Sequence, residues 1–99
     1  MSVEQWSDSI LIAELGDDPQ FTDDLNALIE QCTANPQTDV LLNFQNVTYL
    51  NSSNIAKILK LRKLVAITNN RRLKLCGISR QVWGVFLVTG LDRIFEVVD

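Results

Sequence analysis

The chain has 99 residues, 46% hydrophobic and 21% charged, which suffices for one domain with its own core and leaves no room for a second, so residues 1–99 are read as a single unit. A net charge of -3 argues against nucleic acid, whose binders carry basic patches. Histidine is absent, which excludes Ser-His-Asp catalysis, His-ligated metal sites and phosphohistidine relays. Cys32 and Cys76 stand far apart in apolar contexts, a spacing for small buried hydrophobes and not for zinc or redox chemistry. Free thiols imply a reducing compartment. The first residues, with Glu4 and no basic apolar run, do not read as a signal peptide, and no apolar stretch is long enough to span a bilayer. A cytoplasmic location without membrane attachment is therefore expected.

In chain order, Ser9 to Leu15 reads as the first clear strand, with Val3 to Trp6 as a weaker partner. Gly16-Asp17-Asp18-Pro19 ends it. Phe21, Leu25, Leu28, Ile29 and Cys32 then share one helical face, with Asp23, Asp24, Glu30 and Gln31 off it, and Asn35-Pro36 stops the helix. Val40 to Phe44 is apolar at successive positions, as in a central strand covered on both faces. A helix runs from Ser53 to about Thr68, with Arg62 intruding on its apolar face and Leu64 projecting opposite; Asn69-Asn70 is a turn. Leu73 to Cys76 reads as a strand ending at Gly77. Ser79 is an N-cap for a helix over Arg80 to Thr89, Gly90 is its C-terminal glycine, and Ile94 to Val97 forms a short closing strand.

Strand–helix alternation with short links predicts an α/β fold: a single-layer mixed, mostly parallel sheet of four to five strands with helices packed on it. The basic residues Lys57, Lys60, Arg62, Lys63, Arg71, Arg72 and Lys74 are read as solvated faces of a helix and its exit, or else as a docking patch for an acidic partner.

The segment from Val47 to Ile55 carries the chemistry. Asn51, Ser52, Ser53 and Asn54 place hydroxyls and amides at a helix start, where they serve as caps. The same position suits an added phosphate, because free backbone amides and the helix dipole favour negative charge there.

Together, Leu41 to Asn46, Val47-Thr48-Tyr49-Leu50 and Asn51-Ser52-Ser53 resemble the core signature of STAS domains, the family of anti-sigma-factor antagonists. Leu73 to Ser79 and Val85 to Asp92, with its Thr-Gly-Leu step, resemble the second half of that family, in the right order along essentially the whole chain. The resemblance implies a STAS-like fold and a non-enzymatic partner-switching role. The chain would bind an anti-sigma factor or related serine kinase, be phosphorylated by it on Ser52 (Ser53 being the neighbour), and be restored by a PP2C-type phosphatase. No cofactor or metal is implied. Asn51, Ser52, Ser53, Asn54, Lys57 and Trp83 are the expected partner-binding residues. The sequence departs from the family pattern at Asn51, usually aspartate, and Asn54, usually glycine; both departures bear on kinase recognition and partner choice.

Trp83 and Leu87 fall on a second face of the last helix, packed beneath neighbouring segments or forming an exposed patch that Leu64 extends. Other readings stay open: a constitutive interaction module or scaffold whose serines only cap the helix, a small-ligand sensor, and a homodimer formed through either apolar face. For an enzyme, the sequence offers no acid/base or nucleophile pairing and no phosphate-cradling glycine loop.

Overall fold

The computed structural model describes residues 3–7, 10–34, 39–66 and 72–98. The expected turns at Asn35-Pro36 and Asn69-Asn70, the residues Ser9, Thr68 and Arg71, and the side chain of Trp6 lie outside the described part.

Five strands, β1 (Val3–Ser7), β2 (Ile10–Gly16), β3 (Asp39–Asn46), β4 (Leu73–Cys76) and β5 (Glu96–Val97), form one sheet in sequence order. β1 runs antiparallel to β2, and every later neighbour is parallel. The parallel links carry the helices α1 (Gln20–Ala34), α2 (Ser52–Ala66) and α3 (Arg80–Thr89). The expected α/β class and mixed, mostly parallel sheet are thus observed. The closing strand is shorter than expected: Leu91–Arg93 forms a 3-10 turn and Phe95 turns into the core, leaving only Glu96–Val97 paired to β4.

Burial alternates along the strands. Leu11, Ala13 and Leu15 of β2, Val40, Leu42 and Phe44 of β3, and Leu75 of β4 are buried in one cluster with Phe21, Leu25 and Leu28 of α1, Ile58, Leu61 and Val65 of α2, and Val82 and Phe86 of α3. The core therefore occupies one face of the sheet, and the expectation that β3 is covered on both faces is not met. Ile12, Leu41 and Asn43 on the opposite face are only half-buried. There the register aligns Ile12, Leu41, Lys74 and Glu96 in one row, and Lys74 Nζ meets Glu96 Oε2 at 3.2 Å. That exposed ion pair contributes little to stability.

Helical rotation at about 100° per residue sets which side chains of α1 are buried. Asp24 lies on the Phe21–Leu25 side of α1 and is buried, although its charge had placed it off the apolar face; Gln20 Nε2 donates to it at 3.4 Å. Arg62 is half-buried on α2; its Nε donates to the Ile94 carbonyl at 3.0 Å, and it lines a surface cavity with Val65, Leu73 and Phe95. α3 matches its expected limits: Ser79 Oγ accepts from Val82 N at 3.2 Å, and Gly90, at φ 79°, closes the helix in the left-handed conformation that glycine tolerates. Cys32 is buried; Cys76 is half-buried, and burial pushes its thiol pKa up.

Candidate functional site

Helices that follow parallel strands start at the carboxyl edge of the sheet, so the β2–α1 loop, the β3–α2 loop and the starts of α2 and α3 share one rim. Val47, buried, anchors the β3–α2 loop in the core. Beyond it Thr48 and Tyr49 are exposed, Leu50 is half-buried, and Asn51, Ser52 and Ser53 are exposed. α2 begins at Ser52, one residue before the expected start.

Asn51 is the N-cap. Its Oδ1 accepts from Asn54 N at 2.8 Å, and Asn54 Oδ1 accepts in return from Asn51 N at 3.1 Å. This is a reciprocal capping box with an asparagine in the place usually taken by glutamate or glutamine. Ser52 and Ser53 are consequently free of capping duty; neither side chain hydrogen-bonds to any of the described residues, and both hydroxyls face outward from the first turn.

Two aspartates, read from the sequence only as strand punctuation, hold this segment in place. Asp17 accepts from Thr48 N at 2.8 Å and from Thr48 Oγ1 at 2.6 Å. Asp18 Oδ1 accepts from Thr22 N at 3.1 Å and Thr22 Oγ1 at 2.7 Å, which caps α1. Its other oxygen, Oδ2, accepts from Asn54 Nδ2 at 3.0 Å and Asn51 Nδ2 at 3.3 Å. Asn51 and Asn54 are thus bonded to each other and to a single carboxylate. Asn54 is only 1% exposed, so its amide is fully committed to this network.

Hydrogen bonding sets the acidity of both groups. The Thr48 hydroxyl and then its backbone N–H hold Asp17 below the ordinary aspartate range. The Thr22 hydroxyl, followed by the Asn54 amide, does the same for Asp18. A carboxyl whose folded pKa is lowered stabilises the fold fully above its unfolded pKa, about 3.9, and loses that contribution as pH falls through the lower folded value. Thermal unfolding followed from pH 5.5 to 2.5 is therefore expected to show a falling Tm below about pH 4. Asp17→Asn together with Asp18→Asn should flatten that acid limb; an unchanged limb would show that other carboxyls cause it.

The remaining candidates are Lys57 and Trp83. Lys57 Nζ donates to Asn26 Oδ1 at 3.0 Å, on the seam between α2 and α1. Trp83, in the first turn of α3, is half-buried; it stacks on Phe86 at 6.0 Å and 18° and lines a surface cavity with Gly77, Ile78, Val97 and Val98. Leu87 is 54% exposed and Val88 89%. Leu64 does not extend a Trp83 patch: it packs beside Ile29 of α1, a different part of the surface. Among the described residues no group of His, Cys, Asp and Glu is arranged to hold a metal ion, and no helix is long and apolar enough to cross a membrane.

Comparison with known proteins agrees with this architecture. The STAS domain family model matches residues 16–99. A STAS domain anti-sigma-factor antagonist from Planctomyces limnophilus superposes with a TM-score of 0.81 at 14% identity, covering 96% of this chain and 87% of that one. The anti-sigma factor antagonist SpoIIAA in its unphosphorylated form gives 0.79 at 17% identity, over 98% and 86%. The Bacillus cell fate determinant SpoIIAA in its phosphorylated form gives 0.71 at 14% identity, over 98% and 89%. Searching curated protein sequences gives no match. Identities this low establish a shared fold, whereas the family model spans both the Asp17–Asp18 loop and the serine-bearing helix start; the chain belongs to the STAS domain family.

Proposed function

We propose that the chain is a non-enzymatic regulatory module that binds an anti-sigma factor or related serine kinase, with phosphorylation of Ser52 as its off-switch. The observation that carries this reading is the rim itself. Two serine hydroxyls stand exposed at the start of α2, just after the exposed Tyr49, on a segment whose backbone is held by Asp17 at Thr48 N and whose Asn51 and Asn54 side chains are held by Asp18. An exposed hydroxyl on a rigid segment suits docking into a kinase site, since little ordering entropy is lost on binding. A phosphate there adds up to two negative charges at the heart of the contact, beside carboxylates already present. Desolvation and like-charge repulsion then favour release. The relatives support the same reading: one antagonist of this fold is known in both unphosphorylated and phosphorylated forms. A PP2C-type phosphatase would reset the switch, and a cytoplasmic setting fits both the partner and the free cysteines.

Against the bound kinase, Ser52→Ala is expected to keep affinity within about three-fold, whereas Ser52→Glu weakens it at least a hundred-fold, roughly 2.7 kcal/mol. Isothermal titration reads both. Equal affinities would remove Ser52 from the interface and favour a constitutive module whose serines only begin a helix.

Trp83 shares the rim through α3. Trp83→Ala is expected to lower stability by about 1–2 kcal/mol, since the ring is only partly buried at the edge of the core, and to weaken partner binding about ten-fold or more. Thermal denaturation and the same titration separate the two effects. A collapsed Tm with unchanged affinity would assign the ring to the core alone.

A further inference from the structure

Away from the Ser52 rim, the C-terminal halves of α1 and α2 leave a surface groove of about 450 Å³ lined by Ile29, Thr33, Lys60, Lys63 and Leu64. Ile29 and Leu64 are half-buried and packed against the core, so they form an apolar floor. Thr33 Oγ1 is turned back to the Ile29 carbonyl at 2.8 Å. Lys60 and Lys63 are exposed, and neither has an ion-pair or hydrogen-bond partner among the described residues. This contrasts with Lys57 one turn earlier, which is engaged by Asn26, and with Lys74, which is paired with Glu96. Glu30 is exposed on α1 and does not line the groove.

A half-buried leucine on α2, flanked by two ammonium groups with no partner among the described residues, is not what a purely solvated face requires. Lys60 and Leu64 lie one helical turn apart, as do Ile29 and Thr33, so each wall is about 6 Å long. That length receives a single apolar side chain, with room for a carboxylate on either side to reach the lysines. We infer that the α1–α2 groove docks a short acidic segment of a partner protein, one apolar side chain seated between Ile29 and Leu64 and flanking carboxylates on Lys60 and Lys63. The groove is separate from the serine-bearing rim, so this contact is independent of phosphorylation and can hold a partner while the rim is released.

The test is an NMR titration of the full ¹⁵N-labelled chain with the capped peptide Glu-Glu-Leu-Glu-Glu at low salt. Saturable shifts are expected at residues 29, 33, 60, 63 and 64, with the amides of Ser52 and Ser53 unmoved. Lys60→Glu with Lys63→Glu should weaken binding at least ten-fold, as should raising the salt to about 0.5 M, where exposed charges are screened. Leu64→Ser should weaken it with the lysines intact. Absence of saturable shifts overturns the inference, and so does equal binding of the uncharged peptide Gln-Gln-Leu-Gln-Gln. The same shifts produced by raising the protein concentration alone would give the groove to a second copy of the chain and likewise overturn it.

Discussion

Phe44→Ala is expected to lower stability by about 3–5 kcal/mol, the range for removing a large ring from a closed core. Phe44 is fully buried on β3 and meets Phe21 of α1 at 6.2 Å and 61° and Phe86 of α3 at 6.0 Å and 89°. Phe86 continues the chain of rings to Phe95 at 6.3 Å. Edge-to-face contacts of this kind add to the burial of the rings themselves. One side chain thus joins the sheet to two helices just upstream of the functional loop. In a domain of this size the loss corresponds to a Tm lower by roughly 15–30 °C, a large share of a typical total stability of about 5–15 kcal/mol. Phe44→Leu, which refills most of the space, should cost only about 1–2 kcal/mol. Urea unfolding of both variants checks the contrast; similar small losses would mean that the three rings are not packed as one unit.

The second large effect concerns the asparagines. Asn54→Gly removes the donor to Asp18 and the acceptor of Asn51 N, and it places glycine in the first turn of α2. A buried network left half-satisfied costs about 1–3 kcal/mol, and the glycine adds to it. Asn51→Asp acts differently. The aspartate can still cap α2 through Asn54 N, but where Asn51 Nδ2 donated to Asp18 Oδ2 at 3.3 Å, a second carboxylate now faces the first. At this exposed position the repulsion should amount to about 1 kcal/mol at neutral pH and low salt. It should fade in high salt and vanish when Asp18→Asn is added. A double-mutant cycle between positions 51 and 18 is therefore expected to give a coupling above about 0.5 kcal/mol. Strict additivity would show that the two loops are not joined through this carboxylate. Either change thus removes one of the two amide donors that Asp18 Oδ2 receives from Asn51 and Asn54.

Much of the fold was legible because local signals and burial agreed. Ser79 and Gly90 bracket α3 at its observed limits, and Phe21, Leu25, Leu28 and Cys32 mark the buried face of α1. The failures came where two patterns conflicted. The charge of Asp24 points to solvent, although its angular position lies with Phe21 and Leu25. The run Val40 to Phe44 suggested two covered faces, but Leu41 is an apolar residue on the open one. At the site, the segment from Asn51 to Asn54 stood out as a capped helix start and is one. Its supports did not stand out, because Asp17 and Asp18 bond to residues 31 to 36 positions away. Such a tie follows from the parallel pairing of β2 with β3, and nothing in the local pattern of either loop announces it. Leu64, expected to project opposite the apolar face of α2, is half-buried and packed against the core, and its neighbour in the groove is Ile29 of α1 and not the Trp83 side of the molecule.

Intact-mass analysis of the protein isolated from its native cells, with peptide mapping across residues 50 to 57, tests the central claim most directly. The partner-switching account predicts a singly phosphorylated fraction with the phosphate on Ser52, increased by incubation with the cognate serine kinase and ATP. A chain that stays unmodified at Ser52 both in cells and after that incubation would contradict it.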